Sequence, residues 1–540
     1  MTSKKTKYIF VSGGVYSSVG KGLIVASIAS IFKHQNFKIN ILKFDPYLNV
    51  DSGTMSPYEH GEVFVTSDGT ETDLDLGYYE RFLVQDLNER SSITSGKVYF
   101  SVINKERKGE YLGKTVQLIP HVTNEIKRRI ALAATDENNQ PYDLVFCEIG
   151  GTIGELESLP FIEAIKQIIR ENDKHDTAFI HVVPIISLFN GEQKTKPLQH
   201  SLKELNNLGI NPDFLVIRSK ESLDLKTKHK IASATYLDKD HIFNSVDLNN
   251  TYFLPDYLNQ QKIHEKIANK LQITIDPKIK LSAWDDLAKK INNQNNLVRK
   301  IAIIGKYTQF KDAYLSLIES LNLAGYHNHV KLEIDWIESS LYDDASLEEI
   351  NHKLKDVHGI IVPGGFGSRG VEGKIKFIQV ARTKKIPFLG ICLGMQLACV
   401  EYARNVLGMT DANSSEFNSQ TTYPIFKIMN PDDLNYGGSL RLGDYLVSLK
   451  DQTLTKAIYQ QDSIKRRHRH RYEFNNDYLN QFNDGEFIVS GIYLQENLVE
   501  TIELKNHPFF IGCQYHPEFS SKITAAEALF DSLVKKIKML

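Results

Sequence analysis

Cysteine is scarce in this chain: four in 540 residues, Cys147, Cys392, Cys399 and Cys513, with none at CxxC spacing. That excludes a disulfide scaffold, argues against structural zinc, and fits a reducing compartment, the cytoplasm. Long apolar runs are also missing. No stretch approaches the ~20 apolar residues of a membrane helix. The most apolar one, 178–189, is interrupted by His181, Pro184 and Ser187. Neither charge is in excess: Lys plus Arg is 64 and Asp plus Glu is 66, a net charge of −2. A surface built for nucleic acid is therefore not expected. The first residues pass from lysines straight into a strand-like run and a glycine loop, without the apolar region and cleavage site of a signal peptide. What is there is an ordinary globular composition, 41% hydrophobic and 24% charged, long enough for two or more domains.

Along the first half, short apolar runs alternate with helical patterns. Strands are expected at 8–12, 38–44, 142–148, 177–186, 213–218 and 241–246, and helices at 20–34, 159–170, 198–208 and 262–271. Such alternation implies an α/β domain, a mainly parallel sheet with helices on both faces. A polar stretch ending in KKINNQNNLVRK breaks the pattern, and a second strand–helix series starts at Val298. The expected division is a nucleotide-binding domain over 1–275, a linker over 276–298, and a second α/β domain over 299–540.

Residues 13–22, GGVYSSVGKG, lie between a strand and a helix. Glycines let backbone N–H groups point at phosphate oxygens, and the following helix adds its positive end. Lys21 can bridge terminal phosphates. The residue after it is Gly22, where a P-loop ordinarily has the Ser or Thr that meets magnesium. Other oxygens must then hold the metal. ETDLDLG offers Asp73 and Asp75, which an extended chain would aim at one side. DLVFCEIGG ends an apolar run in Glu148, and open parallel sheets bind ligands beyond the carboxyl ends of their strands. Cys147, inside that run, reads as core. KTKPLQH, 194–200, gathers cations at a helix start marked by Pro197, a place for a second polyanion or an ordinary charged loop.

In the second half, Gly390, Cys392 and Gly394 form a G-x-C-x-G elbow between an apolar run and a helical pattern. This is the nucleophile-elbow arrangement with sulfur in place of oxygen. CQYHPEF places His516 and Glu518 two apart, so on an extended segment the carboxylate can orient the imidazole for Cys392. Gly364, Gly365 and the N–H of Leu393 are candidate oxyanion donors. Cys399 and Cys513 read as packing residues. RRHRHRYEF, 466–474, is the strongest basic run. Its arginines could attract RNA by charge or hold a substrate carboxylate.

GGVYSSVGKG, FDPYLNVDSGTMSPYEHGEVFV, ETDLDLGYYERF, CEIGGTIGELESLPF, KTKPLQHSLKEL, VPGGFGSRGVEG, GICLGMQLA, RHRHRYE and CQYHPEF, in this order, resemble the CTP synthases along nearly the whole chain. The second half alone is similar to class I glutamine amidotransferases. The resemblance implies that ATP phosphorylates the C4 oxygen of UTP. Ammonia, released from L-glutamine by a Cys392–His516–Glu518 triad, then displaces the phosphate to give CTP.

It further implies that Ser18, Val19, Gly20, Lys21, Gly22, Leu23, Asp75 and Asp247 line ATP, with Lys43 near the transferred phosphate. Asp75 and Glu148 would hold Mg2+. Ser17, Glu155, Leu156, Glu157, Lys194, Thr195, Lys196, Pro197, Leu198, Gln199 and Lys230 would meet UTP and the inhibitor CTP, largely across a subunit interface. Gly365, Leu393, Gly394, Met395, Gln396, Glu416 and Arg471 would hold glutamine. An ammonia passage would run near His60 and Val63. The expected form is a cytoplasmic homotetramer, with filaments a further form, activated by GTP and without nucleic-acid or membrane partners. Tyr16 and Glu155 depart from the residues usual in the family. The competing readings are another amidotransferase-linked ligase with a different acceptor, and a P-loop assembly protein with a silent amidotransferase domain.

Overall fold

The runs YIFVS, INILKF, LVFCEI, AFIHVV and FLVI are rich in β-branched and aromatic residues. They are short enough to be strands and apolar on both faces, which is the signature of a covered parallel sheet. A computed structural model, describing residues 5–16, 19–188, 191–293, 297–428 and 441–540, bears this out. The chain divides into two units, Met1–Ser52 with Asp75–Ala288, and Gly53–Leu74 with Lys289–Leu540.

Among the described residues of the first unit, the sheet has seven strands: β1 (Lys7–Gly13), β2 (Ile39–Asp45), β3 (Ser92–Thr94), β4 (Leu144–Ile149), β5 (Thr177–Pro184), β6 (Phe214–Ser219) and β7 (Ile242–Val246). Their order is β7-β6-β5-β1-β4-β2-β3, all parallel. Three helices matter below: α1 (Lys21–His34), α2 (Asp75–Leu83) and α3 (Lys196–Asn207). Phe10, Leu42, Phe44, Cys147, Phe161 and Phe179 are part of one core, and burial pushes the Cys147 thiol up, as its packing role requires. β3 is too short to show a period. The polar stretch 276–298 contains a helix, Ser282–Asn292, whose Trp284 is buried against Phe82 and Tyr252 of the first unit.

In the second unit the sheet strands are β8 (Val298–Gly305), β9 (Lys331–Glu338), β10 (Gly359–Val362), β11 (Phe388–Ile391), β12 (Arg441–Leu449), β13 (Ser463–His470), β14 (Phe487–Tyr493), β15 (Leu498–Leu504) and β16 (Phe510–Cys513). The order is β9-β8-β10-β11-β16-β15-β14-β12-β13, parallel up to β16 and antiparallel beyond it. Helix α4 (Leu393–Asn405) follows β11 directly. Apolar clusters cover both faces of the sheet. The early segment 53–74 belongs to this unit. Phe64 packs edge-on against Phe519 with ring centroids 5.0 Å apart. Arg467 donates to the carbonyl of Val65 at 3.1 Å, and Arg469 pairs with Glu71 at 2.7 Å.

Behind β13 lies a buried charged cluster. Arg441 pairs with Glu473 at 2.8 Å and Glu500 at 2.9 Å, and its guanidinium also stacks on Tyr445. His468 and His470 share a 2.9 Å hydrogen bond beside it. Two carboxyls compete for one guanidinium. Burial raises both, to about 7 for Glu473 and about 8 for Glu500, with Arg441 opposing. Each binds its proton more tightly folded than unfolded. Their contribution to stability is therefore full below the ordinary carboxylate range, ~4.3, and declines as pH rises through 7 to 8. Thermal melts should show the wild type losing more stability between pH 6 and pH 9 than Glu500→Gln, which has one acid fewer to ionise.

Candidate active sites

In the first unit, the carboxyl ends of β1, β2 and β4 converge. Lys21, first in α1, folds back across Gly13, and its Nζ donates to the carbonyl of Gly151 at 2.7 Å. Lys43, from the end of β2, pairs with Asp75 and with Glu148, the latter at 3.3 Å. The Tyr79 hydroxyl donates to the other oxygen of Glu148. Burial lowers the Lys21 ammonium, and Lys43 adds to this, while Glu148, Asp75 and Glu155 oppose it. Burial raises the Glu148 carboxyl, Asp75 adds to this, and Lys43 and Lys21 oppose it. The site thus holds two lysines against two carboxylates, away from water, where each charge depends on the others.

Asp75 opens α2 instead of lying on an extended segment, so the reasoning that paired it with Asp73 by alternation fails; the helix start aims it instead. A Cβ on Gly22 would collide with the Asp75 carboxylate. Gly22 leaves room for the Asp75 carboxylate, whose oxygen comes to the place where a P-loop ordinarily has its Ser or Thr. This donor set fits magnesium, which takes one or two protein carboxylates with phosphate oxygens. Among the described residues no group of three or more His, Cys, Asp and Glu side chains gathers as a self-sufficient metal cage.

Val19, Gly20, Gly22 and Leu23 lie at the loop and the start of α1. Ser17 and Ser18 lie outside the described residues. Glu155 accepts from Thr152 at 2.7 Å beside this loop, and Leu156 and Glu157 are exposed. Lys194 and Thr195 precede α3, and Lys196, Pro197, Leu198 and Gln199 form its first turn. The side chain of Leu198 is buried in an apolar cluster, and Lys194 pairs with Glu192 at 2.6 Å. Lys230 sits in the helix Leu225–Thr235, and Asp247, at the end of β7, pairs with Arg218.

In the second unit, Cys392 stands between β11 and α4 at φ 50°, ψ −103°, its N–H donating to the Cys513 carbonyl at 2.7 Å. A Cβ on Gly390 would lie 2.7 Å from the backbone of Gly394, and one on Gly394 would collide with the Val362 carbonyl. Both glycines are therefore required by close approach. Gln514 Nε2, within the run CQYHPEF, lies 3.7 Å from the sulfur. His516 Nδ1 is 2.8 Å from Glu518 Oε1. The pairing is as expected, but the backbone is not extended: Glu518 lies in a 3-10 turn, Pro517–Ser520.

His516 Nε2 is buried without an oxygen or nitrogen partner, and the sulfur of Cys392 acts on the ring. Burial lowers the imidazolium, but Glu518 and Cys392 outweigh it and raise the group to about 10. The ring is stacked on Phe519 at 5.3 Å. Gly365 lies against Leu393, whose N–H opens α4. Glu416 accepts from the Gly367 N–H at 2.8 Å; burial raises it, and Lys306 and Arg471 hold it down. Lys306, buried and bonded to the Phe366 carbonyl, was not legible in the sequence. Gln396 donates to the Tyr472 carbonyl at 3.3 Å, while the Met395 side chain is buried in the core and offers a ligand only backbone. Cys399 and Cys513 are buried, with their thiols pushed up by burial, in keeping with packing.

Residues 7–273 match the family model "CTP synthase N-terminus", and 309–536 match "Glutamine amidotransferase class-I". The chain is 47% identical to a CTP synthase of Clostridium acetobutylicum, over 98% of both chains. It is 48% identical to one of Halalkalibacterium halodurans, over 98% of this chain and 99% of that one. Among solved structures, the Trypanosoma brucei CTPS glutaminase domain with bound acivicin is 34% identical, covers 44% of this chain and 93% of its own, and has a TM-score of 0.42. With near-complete coverage by such relatives and a matching model on each half, the chain belongs to the CTP synthase family.

Proposed function

We propose that the two units divide the CTP synthase reaction between them: the first activates UTP with ATP, and the second frees ammonia from glutamine. The overall change is UTP, ATP, glutamine and water to CTP, ADP, phosphate and glutamate. The single observation that carries the assignment of residues is the intact Cys392–His516–Glu518 constellation in a chain that also keeps Lys21, Lys43, Asp75 and Glu148 together.

In the second unit, Cys392 attacks the glutamine amide carbon and the charge that develops on oxygen meets the N–H of Leu393 and the Gly364–Gly365 backbone. His516 gives its proton to the departing ammonia. A water, deprotonated by His516, then releases glutamate from the thioester, and Glu518 keeps the ring oriented throughout. Arg471 and Glu416, with Gly365, Leu393, Gly394, Met395 and Gln396, hold the amino-acid end of glutamine.

In the first unit, Val19–Leu23 and Asp247 bind ATP, and Lys21 and Lys43 neutralise the phosphates and place the transferred group. Mg2+, held by Asp75 and Glu148, supplies further charge neutralisation when bound. Glu155–Glu157, Lys194–Gln199 and Lys230 take UTP or the competing CTP. Family membership supports GTP activation, a tetramer and a cytoplasmic setting; among the described residues no helix is long and apolar enough to cross a membrane. The exposed side chains of Phe100, Ile103, Leu112, Leu118 and Ile119 support cover by another copy.

Synthesis assayed with glutamine and, separately, with ammonia tests the division. Cys392→Ala should abolish the first and keep the second, whereas Lys21→Ala should abolish both. Loss of both in a folded Cys392→Ala protein would break the assignment. A Cβ at Gly364 would stand 2.7 Å from Cε1 of His516. Gly364→Ala should therefore displace the ring and slow glutamine hydrolysis by ~100-fold, leaving ammonia-supported synthesis in place.

A further inference from the structure

Beneath the glycine loop lies a buried polar chain. His181, in β5, is fully buried, and so are Ser12 of β1 and Ser201 of α3. The Ser12 hydroxyl is 2.7 Å from His181 Nδ1, and the Ser201 hydroxyl is 2.7 Å from Nε2. Parallel pairing of β1 with β5 sets Ser12 opposite His181. Ser12 immediately precedes the loop, and Ser201 lies two residues past Gln199 on α3. The helix also meets the loop directly. The N–H of Gly14 donates to the Val182 carbonyl at 2.8 Å, and a Cβ on Gly14 would lie 3.2 Å from the Ser201 hydroxyl and 2.9 Å from Val183.

Burial, helped by Lys21, lowers the His181 imidazolium to about 3, so the ring is neutral at any pH of interest. A neutral imidazole has one donor and one acceptor. One serine must donate to it while the other accepts, so the chain has a direction and both ring nitrogens are used. An apolar side chain could fill this volume without the cost of burying polar atoms. What the polar chain adds is a fixed spacing between three backbones, β1, β5 and α3, at hydrogen-bond tolerance.

We infer that Ser12–His181–Ser201 is a strut between the two nucleotide sites, with His181 a positioning residue, so that a nucleoside triphosphate seated at Val19–Leu23 sets the start of α3 for the second nucleotide. This rests on the reading of the loop as the ATP site and of Lys194–Gln199 as the UTP site. The consequence is binding synergy between the two substrates, carried by a contact that touches neither.

Calorimetric titration of the full chain with a non-hydrolysable ATP analogue and magnesium, with and without saturating UTP, measures it. In the wild type UTP should tighten the analogue ~10-fold, within the usual range of coupling. Ser12→Ala and Ser201→Ala should each bring that factor close to 1. The double variant should go no further, because one chain is broken only once. Ser201→Thr, which keeps the hydroxyl, should restore the factor. Basal glutamine hydrolysis, a property of the other unit, should be unchanged, and binding of the analogue in the absence of UTP reports that the first unit of each variant is folded. Full synergy in both serine variants, additive losses, or a wild-type factor of 1 would overturn the strut while leaving the site assignment standing. Failure of the wild type to bind UTP at all would overturn the assignment itself, and the strut with it.

Discussion

The second unit is organised around a sulfur carried on a backbone conformation that side-chain-bearing residues avoid. At φ 50°, ψ −103° Cys392 lies outside the allowed basins, at a cost of roughly 1–3 kcal/mol that only over-determined surroundings can hold. The surroundings are specific. The Cys392 N–H is tied to β16, Gly390 and Gly394 let strand and helix close on one another, and Val362 leaves no room for a larger residue at 394. The parallel half of the sheet supplies that rigidity. β10, β11 and β16 lie side by side, so the Gly364 loop, the elbow and the strand leading to His516 leave the same edge. The meeting of Cys392 with His516 and Glu518 is thus a product of strand order, and the strain at Cys392 is carried by main-chain packing.

The first unit meets the opposite problem, too much charge in too little water. Lys21 and Lys43 face Asp75 and Glu148 in a buried site, where burial pushes Lys21 down and Glu148 up and the opposite charges beside them oppose both shifts. Truncating any one of them leaves an uncompensated partner, which is why such groups act as a set. Polyphosphate and a cation entering this site would exchange partners with the protein without having to create charge there. Placing Asp75 in the space of the missing side chain at position 22 gives the set a carboxylate where this kind of loop ordinarily has a hydroxyl.

Much of this was legible because its signals are local. The glycine loop before α1, the elbow at 390–394 and Pro197 at the start of α3 announce their structures within a few residues. The pairing of His516 with Glu518 was also readable, though for an imperfect reason: they meet through a 3-10 turn and not through strand alternation. What was hidden depends on long-range packing. Tyr79 on Glu148 and Gln514 against the sulfur lie inside the runs ETDLDLGYYERF and CQYHPEF, but no spacing within them announces the contact, and His181 lies between two serines with no pattern around it. β3 is three residues long, and β12 and β13 mix arginine, histidine and apolar residues because their inner face carries the Arg441 cluster. No composition shift marks residues 53–74 as part of the second unit, since their partners lie hundreds of positions away.

That last feature has a temporal side. Val65 and the arginine that caps its carbonyl, Arg467, are 402 positions apart. A ribosome adding ~5–20 residues per second needs about 20–80 s to cover that interval. During this time the sheet of the first unit can close while a loop carrying Phe64 and Val65 waits, apolar and uncovered, for the last strands to emerge. The nascent chain therefore passes through a long-lived stage with an exposed sticky loop, and shielding by chaperones matters most for the loop that will later pack on Phe519, beside His516.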